Sequence, residues 1–147
     1  MTVRIRPLAE KDKSAWLRLF KGYIEFYKAT IADEIIEATW RRMLAGEPDF
    51  HVGLVAAGDD DRPIGIAHIL FHRSTWSLTQ YCYLEDLFVE PTLRAKGVGR
   101  ALIDAVYAEA DARNCTRTYW MTQEFNYRAR GLYDQVATKS PFVQDRR

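Results

Sequence analysis

The residues best suited to chemistry form a basic glycine loop, Arg94-Ala95-Lys96-Gly97-Val98-Gly99. The two glycines let the backbone turn and approach a ligand without Cβ clashes. Arg94, Lys96 and Arg100 place three positive charges within seven residues. This combination is typical of a loop that binds an anion, so a phosphate-bearing ligand is the first expectation.

The elements on either side of the loop support this expectation. The apolar run from Tyr83 to Val89 predicts a strand that ends just before the loop, and a helix is predicted from about Gly97 to Ala112. The first N–H groups of a helix have no internal partners, and the helix dipole favours a negative charge beside them. A strand, a basic loop and a helix start together predict a phosphate site.

Other kinds of glycine loop fit this pattern less well. A P-loop requires Gly-Lys followed by Ser or Thr, whereas here Lys96 precedes Gly97. A dinucleotide fingerprint requires a third glycine, and Leu102 stands at that position. A helix start that merely uses glycines remains an alternative, although it leaves the basic neighbours unexplained.

The rest of the chain predicts a single α/β domain with a mixed sheet. Apolar spacing predicts helices over residues 16–27, from Thr30 with a Thr30–Asp33 capping box, over 97–112, and from Asn126 to Val136. Strands are predicted at 3–6, 50–57, 64–71, 81–89 and 116–121, with a closing strand at 141–143. The order βααβββαβα plus a C-terminal strand predicts helices on both faces of the sheet.

Composition narrows the range of partners. The net charge of +1 gives no electrostatic case for nucleic acid or a membrane surface. The three histidines lie in no pattern with carboxylates that predicts a metal site. Cys82 and Cys115 lack metal or redox spacing and are expected to be reduced thiols, and the N-terminus has no apolar leader, so we expect a cytoplasmic protein.

The loop, as Arg94-x-x-Gly97-x-Gly99 opening a helix after a strand, resembles the pyrophosphate loop of the GNAT N-acetyltransferases. The predicted element order matches that family over nearly the whole chain, and Asn126-x-x-Ala129-x-x-x-Tyr133 matches its downstream helix motif. Within the family, residues 71–76, 83–89 and 126–133 are most similar to the subgroup of yeast-type histone and D-amino-acid acetyltransferases and, more distantly, the polyamine acetyltransferases.

The resemblance implies acetyl-CoA as co-substrate and no metal. It implies that backbone groups of Leu87, Phe88 and Val89 pair with the pantetheine arm beside a distorted part of the strand, where the Phe88 or Val89 amide serves as oxyanion donor. The residues implied in cofactor binding are these three with Arg94, Ala95, Lys96, Gly97, Val98, Gly99, Arg100, Asn126, Ala129 and Tyr133.

Acetyl transfer to an amine requires a base and a proton donor. An alkyl amine has a pKa near ~10.4, so few molecules are neutral at pH 7. Glu85 is the candidate base, because polyamine acetyltransferases use a glutamate at the matching position; in a regular strand Asp86 points to the opposite face. Tyr133 is the candidate acid for the departing thiolate. A surface carboxylate at Glu85 and a packing role for Tyr133 remain the structural alternatives.

The function predicted is direct transfer of acetyl, in a ternary complex, to a primary amine of a small molecule or a protein lysine. A CoA-binding regulatory module with weak or no catalysis and a nucleotide-binding module are the alternatives. The chain departs from many relatives after Val136, where Ala137-Thr138 replaces a Gly-Phe pair and the remaining residues suffice for one strand rather than two. We therefore expect a homodimer formed through the C-terminal segment.

Overall fold

A five-stranded sheet organises the computed structural model, which describes residues 2–94, 96–123 and 126–147. The strands are β1 (Arg4–Pro7), β2 (Val52–Ala57), β3 (Pro63–Arg73), β4 (Gln80–Val89) and β5 (Arg117–Tyr119). They lie side by side in chain order; β1 to β4 are antiparallel and β5 is parallel to β4. The mixed sheet and the parallel pair joined by a helix confirm the sequence prediction.

Helices cover both faces of this sheet, also as predicted. They are α1 (Lys13–Phe26), α2 (Asp33–Ala45), α3 (Val98–Ala112) and α4 (Tyr127–Val136). Trp16 of α1 and Trp40 of α2 pack with Ile66 on one face, while Leu102 and Val106 of α3 pack with the opposite face. Two apolar cores therefore hold the sheet between the helices, as expected when apolar area is removed from water on both sides.

Two sequence predictions about element ends are wrong. The Thr30–Asp33 capping box does not form, because α2 begins at Asp33 and its N-cap is Ala32, which has no capping side chain. Residues 137–147 form no strand, so the predicted closing strand at 141–143 is absent. The neighbouring β5 has three residues and offers few backbone partners, and Pro141 has no N–H to donate.

Candidate active site

The pairing of strands β4 and β5 ends early, and the space beside the unpaired part of β4 is called the cleft below. Their register pairs Tyr81 with Arg117, Cys82 with Thr118 and Tyr83 with Tyr119, and no further pair follows in the part of the chain that the structure describes. The second half of β4, including the predicted pantetheine segment 87–89, has strand β3 on one edge only. Its other edge is left for an extended ligand to pair with, as an added strand would.

A β-bulge distorts β4 inside this cleft, as the family resemblance implied. The β3–β4 register passes from His68 opposite Asp86 to Ile69 opposite Leu84, which leaves Glu85 without a partner. The hydroxyl of Tyr23, on α1, donates a hydrogen bond to the Glu85 carbonyl at 3.3 Å. A bulge re-aims the side chains beside it, so strict alternation of faces is lost at this point.

The expectation that Glu85 and Asp86 point to opposite faces is therefore wrong. Both carboxylates lie close enough to Tyr23 for their negative charges to raise its pKa. The Glu85 Oε1 lies 2.6 Å from His51 Nε2, although the alignment is not that of a hydrogen bond. The Glu85 side chain is 46% exposed, whereas that of Asp86 is 16% exposed, so Asp86 is the carboxylate enclosed by the site.

Tyr23 of α1 and Tyr27, the C-cap of that helix, lie near Asp86. Burial, followed by the charge of Asp86, raises the pKa of both Tyr23 and Tyr27 above the ordinary value of 10.0. Their rings lie 4.9 Å apart, and Tyr23 meets the Phe88 ring edge-on. These phenols stay neutral at physiological pH and present ring faces and hydroxyls beside a carboxylate, which suits a cationic ligand.

Tyr133 lies on α4, the helix that Asn126 caps as predicted, and packs against the core. The Asn126 side chain accepts a hydrogen bond from the Ala129 N–H at 3.3 Å. The Tyr133 ring lies 5.4 Å from the Trp120 ring. Burial raises its pKa, a hydrogen bond with Thr122 acts in the opposite direction, and the nearby Tyr27 raises it further. The phenol therefore keeps its proton beyond the ordinary pH range for tyrosine.

The glycine loop lies where the end of β4, the start of α3 and α4 meet. Gly97 is the N-cap of α3 with φ +82° and ψ 4°, a left-handed conformation that favours glycine. A Cβ added at Gly99 would lie in ordinary contact with Leu132 and Val89. The Val98 side chain is buried, so only its backbone is available to a ligand. Ala95 lies outside the described residues.

Arg94 packs against the end of β4. Its Nε donates a hydrogen bond to the Val89 carbonyl at 3.1 Å, and its guanidinium lies over the rings of Phe88 and Phe26. Burial lowers its pKa, and the positive charge of Arg128 lowers it further. Arg94 and Arg128, whose positive charges repel each other, flank this end of the cleft. Lys96 and Arg100 follow Arg94 closely in the sequence, and both are exposed. An anion bound there relieves the repulsion.

Residues 2–94, 96–123 and 126–147 contain neither a candidate metal site nor a candidate membrane-spanning helix. No three His, Cys, Asp or Glu side chains are grouped there so that they could hold a metal ion. No helix among these residues has the length and apolarity needed to cross a membrane.

A bulged strand with a free edge, a glycine loop at a helix start and a buried tyrosine are features that fit an acyl-CoA-dependent transferase. Residues 15–137 match the acetyltransferase (GNAT) family, and the chain belongs to it. It is 34% identical to the D-amino-acid N-acetyltransferase HPA3 of Saccharomyces cerevisiae, over 95% of this chain and 86% of that protein. It is 32% identical to the thialysine N-epsilon-acetyltransferase of Bos taurus, over 93% and 84% of the two chains.

The fold agrees with solved structures of low sequence identity. A ribosomal-protein-alanine N-acetyltransferase from Brucella melitensis biovar Abortus superposes with a TM-score of 0.81 at 19% identity, covering 98% of this chain and 97% of that one. The chain is thus an acetyltransferase that uses acetyl-CoA as co-substrate, as the sequence predicted.

Sequence reasoning missed Asp86 and Arg128 as site residues. Regular strand alternation predicts Asp86 on the face opposite Glu85, and no residue type in β4 indicates the bulge that changes this orientation. The partner of Asp86, His68, is buried. The signal available in the sequence was that His68 lies inside the apolar run from Ile64 to Phe71, on the strand next to the one that carries Asp86.

Proposed function

We propose that the chain acetylates a primary amine of a small molecule or a protein lysine by direct attack on acetyl-CoA in a ternary complex. The observation that supports this proposal is the edge of β4 that has no strand partner beyond Tyr83 in the described part of the chain, together with the buried, protonated phenol of Tyr133 on α4. An acetyl-enzyme is disfavoured, because burial raises the pKa of Cys82 to about 12 and its side chain is fully enclosed in the core.

We assign the pyrophosphate of acetyl-CoA to the glycine loop and the start of α3, and the pantetheine arm to the backbone of 87–89. The left-handed Gly97 supports the first part, because it frees the first N–H groups of α3 to face an anion. The free β4 edge supports the second, since main-chain groups there have no strand partner on that side among the described residues. The Phe88 or Val89 amide then stabilises the oxyanion.

We assign proton transfers to the two sides of the cleft. Glu85, directly or through a water, removes a proton from the acceptor ammonium so that the neutral amine can attack the thioester carbon. The C–S bond of the tetrahedral intermediate then breaks as Tyr133 donates its proton to the departing thiolate, and the amide nitrogen loses its extra proton to the Tyr133 phenolate, which restores the phenol. Burial supports this second role, because it keeps the Tyr133 phenol in its acid form.

We infer that the acceptor carries a positive charge near the reacting amine. The carboxylates of Glu85 and Asp86 and the rings of Tyr23 and Tyr27 support this inference. The names of the two relatives fit, because a D-amino acid and thialysine both carry ammonium groups.

The experiment is a panel of amines with acetyl-CoA, in which thiol release is followed. We expect thialysine, D-amino acids, polyamines or a lysine peptide to give saturable thiol release, with the acetylated amine seen by mass spectrometry. A panel without any acetylated amine, despite a thermal shift with acetyl-CoA and none with ATP or NAD, contradicts catalysis and favours the CoA-binding module.

We also propose a cytoplasmic homodimer. The free thiols of Cys82 and Cys115 support a reducing compartment. Phe142 and Val143 of the C-terminal segment are 87% and 88% exposed, which supports their burial against a second copy. Light scattering at micromolar concentration should give twice the 17.1 kDa chain mass, and a monomeric mass contradicts the dimer.

A further inference from the structure

A buried histidine connects the core to Asp86. His68, on β3, is 1% exposed, and its ring contacts Trp16 and Phe20 of α1. The Trp16 Nε1 lies 2.9 Å from His68 Nε2, and the His68 Nδ1 lies 2.7 Å from Asp86 Oδ2. The three side chains form one hydrogen-bonded chain from the centre of the protein to the cleft.

The direction of this chain fixes the tautomer of His68. An indole N–H can only donate a hydrogen bond, so the Nε2 that faces Trp16 is an acceptor without a proton. The proton of the neutral ring is then on Nδ1, from which it is donated to the Asp86 carboxylate. A second proton on Nε2 would place two N–H groups against each other.

This arrangement leaves the charge of Asp86 without a cationic partner. In the described part of the chain, the ion pairs give Asp86 no lysine or arginine, and its one close basic neighbour is the histidine that Trp16 holds neutral. A carboxylate so enclosed is normally paired. It has acceptor capacity left after accepting the hydrogen bond from His68, so a cation from outside the chain completes the site.

We propose that His68 is a positioning residue that acts through Asp86: locked by Trp16 with its proton on Nδ1, it holds the Asp86 carboxylate toward the cleft to bind the ammonium of the acceptor. Asp86 thereby orients the amine beside Glu85, which remains the candidate base. This inference rests on the proposed function for its kinetic readout, but not for its spectroscopic one.

The spectroscopic test uses the wild-type protein without ligand. Long-range ¹⁵N–¹H correlation of the three histidine side chains, assigned with single variants, reports which ring nitrogen carries the proton. The expected result for His68 is a protonated Nδ1 and an unprotonated Nε2, and the opposite tautomer or an imidazolium overturns the inference. Because it needs no acceptor, this result is separable from failure of the amine panel.

The kinetic test is a double-mutant cycle with the most active amine of the panel. We expect His68→Leu and Asp86→Asn each to raise KM for the amine about tenfold, as loss of a hydrogen bond to a charged group implies, while KM for acetyl-CoA changes less than twofold. The double variant should be no worse than Asp86→Asn alone, because His68 acts only through Asp86.

Two further variants separate positioning from folding. His68→Asn keeps an N–H donor near the position of Nδ1, so it should recover part of the amine affinity lost in His68→Leu. His72→Gln, on the same strand but bonded to Tyr119 outside this chain of hydrogen bonds, is the matched control and should leave both KM values unchanged. Additive effects of the His68 and Asp86 substitutions, or an equal rise in KM for both substrates, overturn the proposal.

Discussion

Gly97 and Gly99 offer a matched pair of alanine substitutions for which the structure predicts different results. Alanine at Gly97 is held at φ +82°, which costs about 1–2 kcal/mol in the left-handed region. Alanine also lowers the conformational entropy of the unfolded chain, which offsets roughly 0.4–1 kcal/mol of that cost. The net loss of about 1 kcal/mol corresponds to a fall in Tm of roughly 3 °C for a chain of this size.

Alanine at Gly99 lacks this cost. Its Cβ would lie 3.5 Å from Leu132 Cδ2 and 3.9 Å from Val89 Cγ2, which are ordinary contacts. Because alanine also favours the helix over glycine, we expect stability to be unchanged or raised by up to about 1 kcal/mol.

The two methyl groups also differ in where they point. A Cβ at Gly97 meets no atom of the described residues within 4 Å, so it enters the space through which an anion reaches the loop. Loss of one hydrogen bond to a charged group costs about 1.5–3 kcal/mol, which raises Kd for acetyl-CoA roughly tenfold or more. The Gly99 methyl points into the protein, so Kd should stay within about twofold.

Thermal unfolding and calorimetric titration with acetyl-CoA measure both quantities on the same samples. Equal loss of acetyl-CoA affinity in the two variants would refute the claim that only a methyl group at Gly97 obstructs the anion. An unchanged Kd in Gly97→Ala, despite the fall in Tm, would place the pyrophosphate elsewhere.

Three further predictions concern ionisation and stability. The raised pKa of Tyr133 keeps the acid form at alkaline pH, so kcat should show no loss of a proton donor below about pH 10; a fall near pH 8 that Tyr133→Phe abolishes contradicts this. Native protein treated with a thiol reagent at pH 8 should lose Cys115 only, since Cys82 is enclosed; two thiols reacting at equal rates contradict its burial. Burial raises the pKa of Asp12, but hydrogen bonds from Arg6 and the backbone outweigh burial, so the pKa in the folded protein lies below 3.8. The Asp12 carboxylate therefore stabilises the fold above pH 3.8, and this stability is lost as the pH falls through the lower pKa of the folded protein. Asp12→Asn should cost about 3 kcal/mol in urea unfolding at pH 7 and less at pH 2; equal costs at both pH values refute this role for the charge.

Most of the fold could be predicted because each element carries its own period and end signal. The apolar spacing from Trp16 to Tyr27 can be buried only as a helix, and Gly46 ends α2 in a left-handed conformation, as its place after the apolar run predicts. The prediction was wrong where a local signal competed with tertiary structure. Thr30 has the residue type of a cap, but the chain enters the helix at Asp33.

The site could be predicted only in part, because its geometry depends on a register shift. The glycine loop and the Asn126 cap are local features that residue types reveal. The bulge at Glu85 arises from how β4 pairs with β3, and no residue type in that strand marks it. Asp86 and its support from His68 therefore emerge only from the three-dimensional structure.

The most direct measurement of the proposed mechanism is kcat of Tyr133→Phe with the best amine, beside Kd for acetyl-CoA. Tyr127→Phe, on the same helix but exposed, is the matched control. We predict that Tyr133→Phe lowers kcat about 100-fold or more, as loss of a positioned proton donor implies, and leaves Kd within about twofold, while the control changes neither. A kcat for Tyr133→Phe equal to that of the control would contradict its role as the acid that protonates the departing thiolate.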